Sequence, residues 1–487
     1  MDAEETPGPA DRPHFVGIAG SGMSGLARLI RARGARVTGS ERADSPAVQA
    51  LLAEGFAVVI PQSPESLPAD ATSVVASAAI RADHPEVVEA RRRGLPVKKY
   101  AEALGGLMRP PGTRGVAVAG THGKSSTTAM LAHVLLSCGQ DPSFILGALC
   151  EQIGGGSRCA DAAAAGAGLG VLVAEACEFD RSFHHLRPRH AVVLNVEADH
   201  LDCYGSLDAI VNAFAAFVAP LPAGGSLLIQ HEATARLTVS AAAGPGVAVE
   251  TLGFAPEADW RVATEPASPG GAGRAGTPAA DAGVTLHRGE EEVAAWTLAL
   301  PGQHMAYNAA AAAVTAHRLG VPLADAAAAL SAFRGLDRRM QLRGEVAVPG
   351  GAALVIDDYA HHPTEIDATL RALRAHHRPG RLLCVFQPHQ HSRTRHLLAE
   401  FAAAFGPADR VLVPDIYFVR DSEEEKAAVT SADLVRLLRA GGVEAEHVAG
   451  FDDAVATLRA DLRGGDLVVT MGAGDVWKVA ARLRSAG

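Results

Sequence analysis

Lysine is nearly missing from this chain. It occurs only at Lys98, Lys99, Lys124, Lys426 and Lys478, and arginine supplies the rest of the 44 basic residues. Positive charge is short as a whole: 54 acidic residues leave a net charge of −10. That balance excludes a general nucleic-acid or membrane-surface binder, which needs a basic face. Cysteine is sparse too, with Cys138, Cys150, Cys159, Cys177, Cys203 and Cys384 scattered and no CxxC. This pattern predicts reduced thiols in a cytosolic chain and not a disulfide framework. No apolar run reaches the roughly 18 residues of a membrane span without a charge, Gly or Pro. The stretch from Met1 to Pro13 is acidic and Pro-rich, the opposite of a secretion signal.

What is present is a globular composition, 48% hydrophobic and 20% charged over 487 residues. At roughly 150 residues per domain this is about three domains. Alanine, glycine and proline are abundant, which together with the Arg bias reads as GC-rich codon usage. A lysine that survives such a bias marks a place where arginine was not an acceptable substitute.

Residues 1–12 read as a disordered tail. From residue 13 to 107 short apolar strands, glycine turns and helices alternate, which predicts a parallel, doubly wound sheet. A Pro/Gly linker near 108 opens a second α/β unit running to 336. Within it, 264–283 is a low-complexity Gly/Ala/Pro insertion. A third alternation fills 337–487.

Five clusters carry chemistry. Gly20-Ser21-Gly22-Met23-Ser24-Gly25 follows the strand HFVGIA and opens a helix. There glycines let a diphosphate approach the backbone at a helix N-terminus. Ser40, at the end of the next strand, is where a ribose would be met. Gly120-Thr121-His122-Gly123-Lys124-Ser125-Ser126 lies between a buried strand and a helix. It departs from the strict phosphate-loop pattern, since Val118 stands at the first glycine. Lys124 still reaches terminal phosphates, and Ser125 can ligate Mg²⁺. Glu175, Glu178, Asp180, Glu197, Asp199, His200 and Asp202 gather at strand ends, where open α/β sheets bind ligands. Asp357-Asp358-Tyr359-Ala-His361-His362-Pro363 and Phe386-Gln-Pro-His389-Gln390-His391-Ser-Arg393 also follow strands of one domain, and together they suggest a second wall of a cleft.

These residues are identifiable. FVGIAGSGMSGLA, GTHGKSSTT, EACEFDRSF, LNVEADHLDCYG, LPGQHMAYNAAAA, LDRRMQ, DDYAHHPTEI and FQPHQHSRT resemble the Mur ligases of peptidoglycan synthesis from about residue 14 to 480. The match is to the branch that joins L-alanine to UDP-N-acetylmuramate. The resemblance implies an α/β, three-domain architecture: a Rossmann-like N-terminal domain for the UDP end of the substrate, a P-loop-type central ATPase domain and a Rossmann-like C-terminal domain for the amino acid. It implies that ATP phosphorylates the substrate carboxylate and that the amine of L-alanine attacks the acyl phosphate. ATP and Mg²⁺ are the implied cofactors. UDP-N-acetylmuramate and L-alanine are the partners, with neither nucleic acid nor membrane, in a cytoplasmic monomer or weak homodimer.

Residue by residue, the resemblance makes Ser125, Glu175 and His200 magnesium ligands. His304 and Asn308 become adenine or ribose contacts, with Arg339 and Asp357 on the nucleotide side. It sets Tyr359, His361 and Arg393 toward alanine or the acyl phosphate, and His122 near the muramoyl end. Lys124, His200, His361 and Arg393 are then the catalytic set. Three positions depart from the family pattern: Met305 for a usual Asn, Gln390 for a common Arg, and Cys177 for a usual Asp. Later Mur ligases carry a carbamylated lysine in the central domain. No lysine lies between Lys124 and Lys426, so that device is absent here. Within the family the alternative is a murein peptide ligase, which joins a tripeptide to the same nucleotide sugar.

Overall fold

The computed structural model describes residues 8–77, 79–110, 112–161, 170–265, 282–419 and 421–485. The expected tail at 1–12 and insertion at 264–283 fall mostly outside these residues. At the insertion's edges, Thr264 and Glu265 close one strand and Ala282 and Gly283 open the next. The chain packs as two units. Met1–Val196, Ile210–Arg261 and Ala309–Leu330 form the first; Glu197–Ala209, Val262–Asn308 and Ser331–Gly487 form the second. Glu197–Ala209 and Val262–Asn308 pack with the C-terminal part. One reason is local: Thr364 Oγ1 donates to Glu197 at 2.6 Å, and Arg393 grips Asp199.

The first unit holds a five-stranded parallel sheet, in the order Ala57–Val59, Thr38–Ser40, Pro13–Val16, Ser73–Ala76, Val97–Lys99. A second sheet runs Ala248–Gly253, Ser226–Gln230, His190–Val193, Thr113–Ala119, Gly170–Ala176, Ser143–Ile145. These strands are parallel, and the central ones, Thr113–Ala119, Gly170–Ala176 and His190–Val193, are largely buried, as strands covered on both sides must be. Ser157–Arg158 adds an antiparallel edge. Helix Lys124–Ser137 lies so deep that Ser125 through Leu135 are all buried. It therefore shows no amphipathic stripe, as expected of a helix enclosed all round.

The second unit contains a six-stranded sheet. Gln341–Val348 runs antiparallel to Gly351–Asp358, followed by Leu467–Met471, Leu382–Phe386, Arg410–Val413 and Glu444–His447. A hairpin, Ala282–Arg288 with Glu291–Leu298, belongs to this unit too. Among the described residues no helix is long and apolar enough to cross a membrane.

At one position packing overrides local propensity. Gly105 sits inside helix Tyr100–Leu107, where alanine ordinarily stabilises by roughly 0.5–1 kcal/mol. A Cβ there would overlap the carbonyl oxygen of His185. Backbone cannot step aside as a side chain can, and overpacking costs about 1–3 kcal/mol. Gly105→Ala is therefore expected to lower the melting midpoint by a few degrees; calorimetry showing a rise would mean that the helix shifts freely.

Asp358 ends its strand with both oxygens in use. Oδ2 accepts from Met340 N at 2.7 Å and Oδ1 from Ala360 N at 2.8 Å. Burial pushes its pKa up to about 6, against the pull of Arg339 and those two bonds. A carboxyl whose pKa is raised on folding supports the fold most fully below its unfolded value. That support is lost as pH rises through about 6. Asp358→Asn does not titrate, so its stability relative to the parent should improve between pH 4 and pH 7. Denaturant melts at the two pH values check this; a constant difference would show that Asp358 is ionised throughout.

Candidate active site

In the first unit the backbone conformation at two glycines builds the phosphate loop. Gly120 has φ 146° and Gly123, the N-cap of helix Lys124–Ser137, has φ 81°. Side chains rarely adopt either value. Asn195 ties the loop down: its Oδ1 accepts from His122 N at 2.7 Å, its Nδ2 donates to His122 O, and its carbonyl accepts from Thr121 N. The Lys124 ammonium donates to the carbonyls of Gly120 and Thr121 at 2.5 and 3.0 Å. It also pairs with Glu178 at 2.8 Å. Burial alone would push this lysine down; the Glu178 carboxylate, with Glu175 behind it, outweighs that and holds it above the ordinary lysine value. Lys124 is a fixed cation.

Ser125 Oγ donates to the two Glu175 oxygens at 3.1 and 3.0 Å, and Glu175 also accepts from Gly147 N at 2.8 Å. A hydroxyl and a carboxylate in contact are hard oxygen donors of the kind Mg²⁺ takes. Ser126 is buried beside them. Cys177 is exposed as a residue at the position where an Asp was expected.

The diphosphate turn needs two corrections. Gly20 and Ser21 are exposed at the start of helix Ser21–Ala32. Met23 is only 4% exposed and belongs to the core. Ser40 is fully buried and donates to Glu86 at 2.7 Å, so its hydroxyl serves a buried network with His14 and does not face a ribose. Ser24 Oγ turns back to Ser21 O. Glu41, next in sequence, supports the turn by accepting from Ala19 N at 2.8 Å. A Cβ at Gly22 would stand 3.0 Å from the Tyr100 ring, and one at Gly25 would stand 2.9 Å from Ile145 and Ser157. The third glycine thus seats this helix on the edge of the second sheet.

In the second unit a ring of polar groups surrounds Tyr359. Arg338 and Met340 have φ 58° and 45°, a tight turn that sets Tyr359 N on Arg338 O at 2.7 Å. The guanidinium carbons of Arg338 and Arg339 each lie 5.1 Å from the Tyr359 ring centroid. Asp357 takes Arg338 Nε at 3.1 Å and Thr470 Oγ1 at 2.6 Å. Burial nevertheless leaves its carboxyl above the ordinary value. Arg339 stands 3.7 Å from Glu365.

His361 meets Tyr359 across their rings at 5.3 Å. Its Nδ1 faces Tyr359 O at 3.1 Å and Glu365 Oε2 at 3.4 Å. Both neighbours only accept, which puts the proton on Nδ1 and leaves Nε2 with its lone pair. Burial first, then Arg393, pushes its pKa down to about 3 against Glu365, so the ring is neutral near pH 7. His304 is likewise pushed down to about 4 by burial. One turn on, the Asn308 amide donates to Met305 Sδ at 3.8 Å, so the methionine that replaces the expected Asn is its partner.

Arg393 is buried and lies on Asp199, with Nε at 3.0 Å and Nη2 at 3.4 Å from its two oxygens. Burial opposes ionisation of Asp199, but Arg393 holds it far below the usual carboxylate range. His200 follows in the left-handed region, φ 52°, its N–H on Asp199 at 2.7 Å. It belongs to the second unit, whereas Ser125 and Glu175 belong to the first. Asn195, Glu365 and Arg338 are not among the candidates singled out from the sequence. Asn195 sits at a strand end beside the acidic run, and Glu365 lies in the first turn after Pro363, which is where each could have been sought.

Comparison with known proteins converges on one family. The models described as Mur ligase family, catalytic domain, as Mur ligase middle domain and as Mur ligase, glutamate ligase domain match residues 12–110, 118–316 and 338–474. UDP-N-acetylmuramate–L-alanine ligase of Streptomyces avermitilis is 42% identical over 98% of this chain and 97% of its own length. The ligase of the same name from Paenarthrobacter aurescens is 43% identical over 96% and 94%. The crystal structure of UDP-N-acetylmuramate-alanine ligase from Thermotoga maritima superposes with a TM-score of 0.76 at 26% identity, over 97% of this chain and 98% of that one. A murein peptide ligase from Psychrobacter arcticus gives 0.66 at the same identity, over 98% of both chains. With the three domain models of one family lying in order along it and relatives this similar over nearly its whole length, the chain belongs to the Mur ligase family.

Proposed function

We propose that the chain is the ligase that joins L-alanine to the carboxylate of UDP-N-acetylmuramate, with ATP converted to ADP and phosphate, in the cytoplasmic synthesis of peptidoglycan precursor. The observation that carries this reading is the full-length likeness to ligases named for that reaction, at 40–43% identity. The phosphate loop supports it.

A carboxylate oxygen attacks the γ-phosphorus, the bond to ADP breaks, and an acyl phosphate forms. The alanine nitrogen then attacks the acyl carbon, inorganic phosphate leaves, and the amine sheds a proton as the amide forms. Phosphoryl transfer needs chiefly positioning and charge neutralisation. Lys124 supplies a fixed positive charge at the loop, where it pairs with Glu178. Ser125 and Glu175 would hold magnesium, which neutralises charge on the phosphates. The resemblance alone assigns His200 to the same ion. His122 lies on the loop toward the muramoyl end, and the exposed Gly20–Ser21 turn takes the diphosphate. His304, Asn308, Arg339 and Asp357 serve the nucleotide. Tyr359, neutral His361 and Arg393 face the amino acid, where the bare Nε2 of His361 can accept a hydrogen bond from the amine.

Phosphate release from ATP should require UDP-N-acetylmuramate and L-alanine together. A chain that instead turned over with the tripeptide and ignored alanine would be a murein peptide ligase. Lys124→Ala should lower turnover by at least about 10²-fold, the scale of losing one preorganised charge donor. Its calorimetric affinity for UDP-N-acetylmuramate should hold, because the turn that takes the diphosphate belongs to a different sheet. Near-normal ATP consumption by this variant would remove Lys124 from the reaction.

A further inference from the structure

Arg393 sits on a helix that cannot hold itself. His391–His396 is six residues long, and its N-cap, Gln390, has φ 69° and offers no side-chain cap. A helix this short is unstable alone, because its first N–H groups have no partner within it. Here the partner comes from about thirty residues further along. Asp421 accepts from His391 N at 2.5 Å and from Ser392 Oγ at 2.6 Å, with Ser392 N at 3.4 Å. Its side chain is 2% exposed, and His391 Nδ1 lies 3.5 Å from it.

The same segment holds the turn before the helix. Tyr417 N donates to Pro388 O and Gln390 N to Tyr417 O, at 2.9 and 3.1 Å. The Tyr417 ring stacks on His389 at 5.3 Å and 10°. Phe418 meets His391 edge-on at 5.8 Å, and Arg395 ties back to Glu425 at 2.9 Å. Tyr417, Phe418, Asp421 and Glu425 therefore clamp 388–395 by backbone, ring and carboxylate, with Asp421 at the helix start.

We propose that Asp421 is a positioning residue for the amino-acid step: by capping the helix it fixes where Arg393 stands. This rests on the reading that Arg393 faces the amino acid. Misplacing a catalytic group by about 1 Å can cost up to about 10²-fold in rate. A side chain that orients the helix start thus acts on chemistry without touching substrate.

The test uses the full-length chain with Asp421→Ala, Asp421→Asn and Ser392→Ala. Asp421→Ala should lower kcat/KM for L-alanine by at least about tenfold, while the calorimetric Kd for UDP-N-acetylmuramate stays at the parent value. Asp421→Asn, which keeps one accepting oxygen, should recover part of the loss, and Ser392→Ala should lose least. Hydrogen exchange followed by mass spectrometry should quicken in the peptide spanning 387–397 and not in the phosphate-loop peptide. Parent-like kcat/KM for alanine in folded Asp421→Ala overturns the proposal, as does an equal loss in nucleotide-sugar affinity. So does unchanged exchange at 387–397. Failure of the underlying reading shows separately, as a parent enzyme that does not use alanine; the exchange arm still decides whether Asp421 holds the helix.

Discussion

A lysine ammonium held between two loop carbonyls and a carboxylate is the interaction on which the first unit turns. Lys124 is fixed by Gly120 O, Thr121 O and Glu178, and each of those groups is itself placed by something rigid. Gly120 needs a backbone angle that only glycine adopts easily. Thr121 and His122 are pinned by Asn195, and the lysine begins a helix buried on every side. Burying a charge is costly unless it is paired and hydrogen-bonded. Here the pair and the bonds are both present, so the cation stands ready before any nucleotide arrives.

The second unit solves a similar problem with the opposite sign. Buried carboxylates abound there: Asp199, Asp357 and Asp358 are each under 7% exposed. They are treated differently. Asp199 has a guanidinium directly upon it and stays ionised. Asp358 has backbone donors and a more distant arginine, and burial wins. Asp357 lies between these cases. The result is a site in which charges are set residue by residue through the nearest partner, while the histidines at 304 and 361 are kept neutral by their surroundings.

Much of this was legible in the sequence, for reasons that can be named. Strand–glycine–helix alternation gives the parallel sheets because apolar runs of that length have few other solutions. The Gly120–Ser125 loop announces itself through a lysine in a chain that avoids lysine. What escaped depends on long-range contact. Nothing in Gly-Ser at 39–40 reveals that the Ser40 hydroxyl meets Glu86, 46 residues away. Met23 looked like part of a ligand turn because the motif counts positions, whereas burial follows the helix period. The packing of 197–209 with the C-terminal part is set by Asp199 and Glu197 reaching Arg393 and Thr364, separations of 194 and 167 residues. Asp421 escaped for the same reason: a helix cap is normally sought just before the helix.

Gly25 has a consequence for recognition. Because no side chain intervenes, the helix that opens at the diphosphate turn lies flush on the strand edge at Ile145 and Ser157. That edge belongs to the sheet that also carries the phosphate loop. The span from the turn to Lys124 is then set by rigid packing and not by a linker. On the proposed reading, one end of the nucleotide sugar rests at the turn and its carboxylate must arrive at the loop. On that reading the unit would work as a gauge, selecting a substrate by the distance between its two ends as much as by the groups it carries.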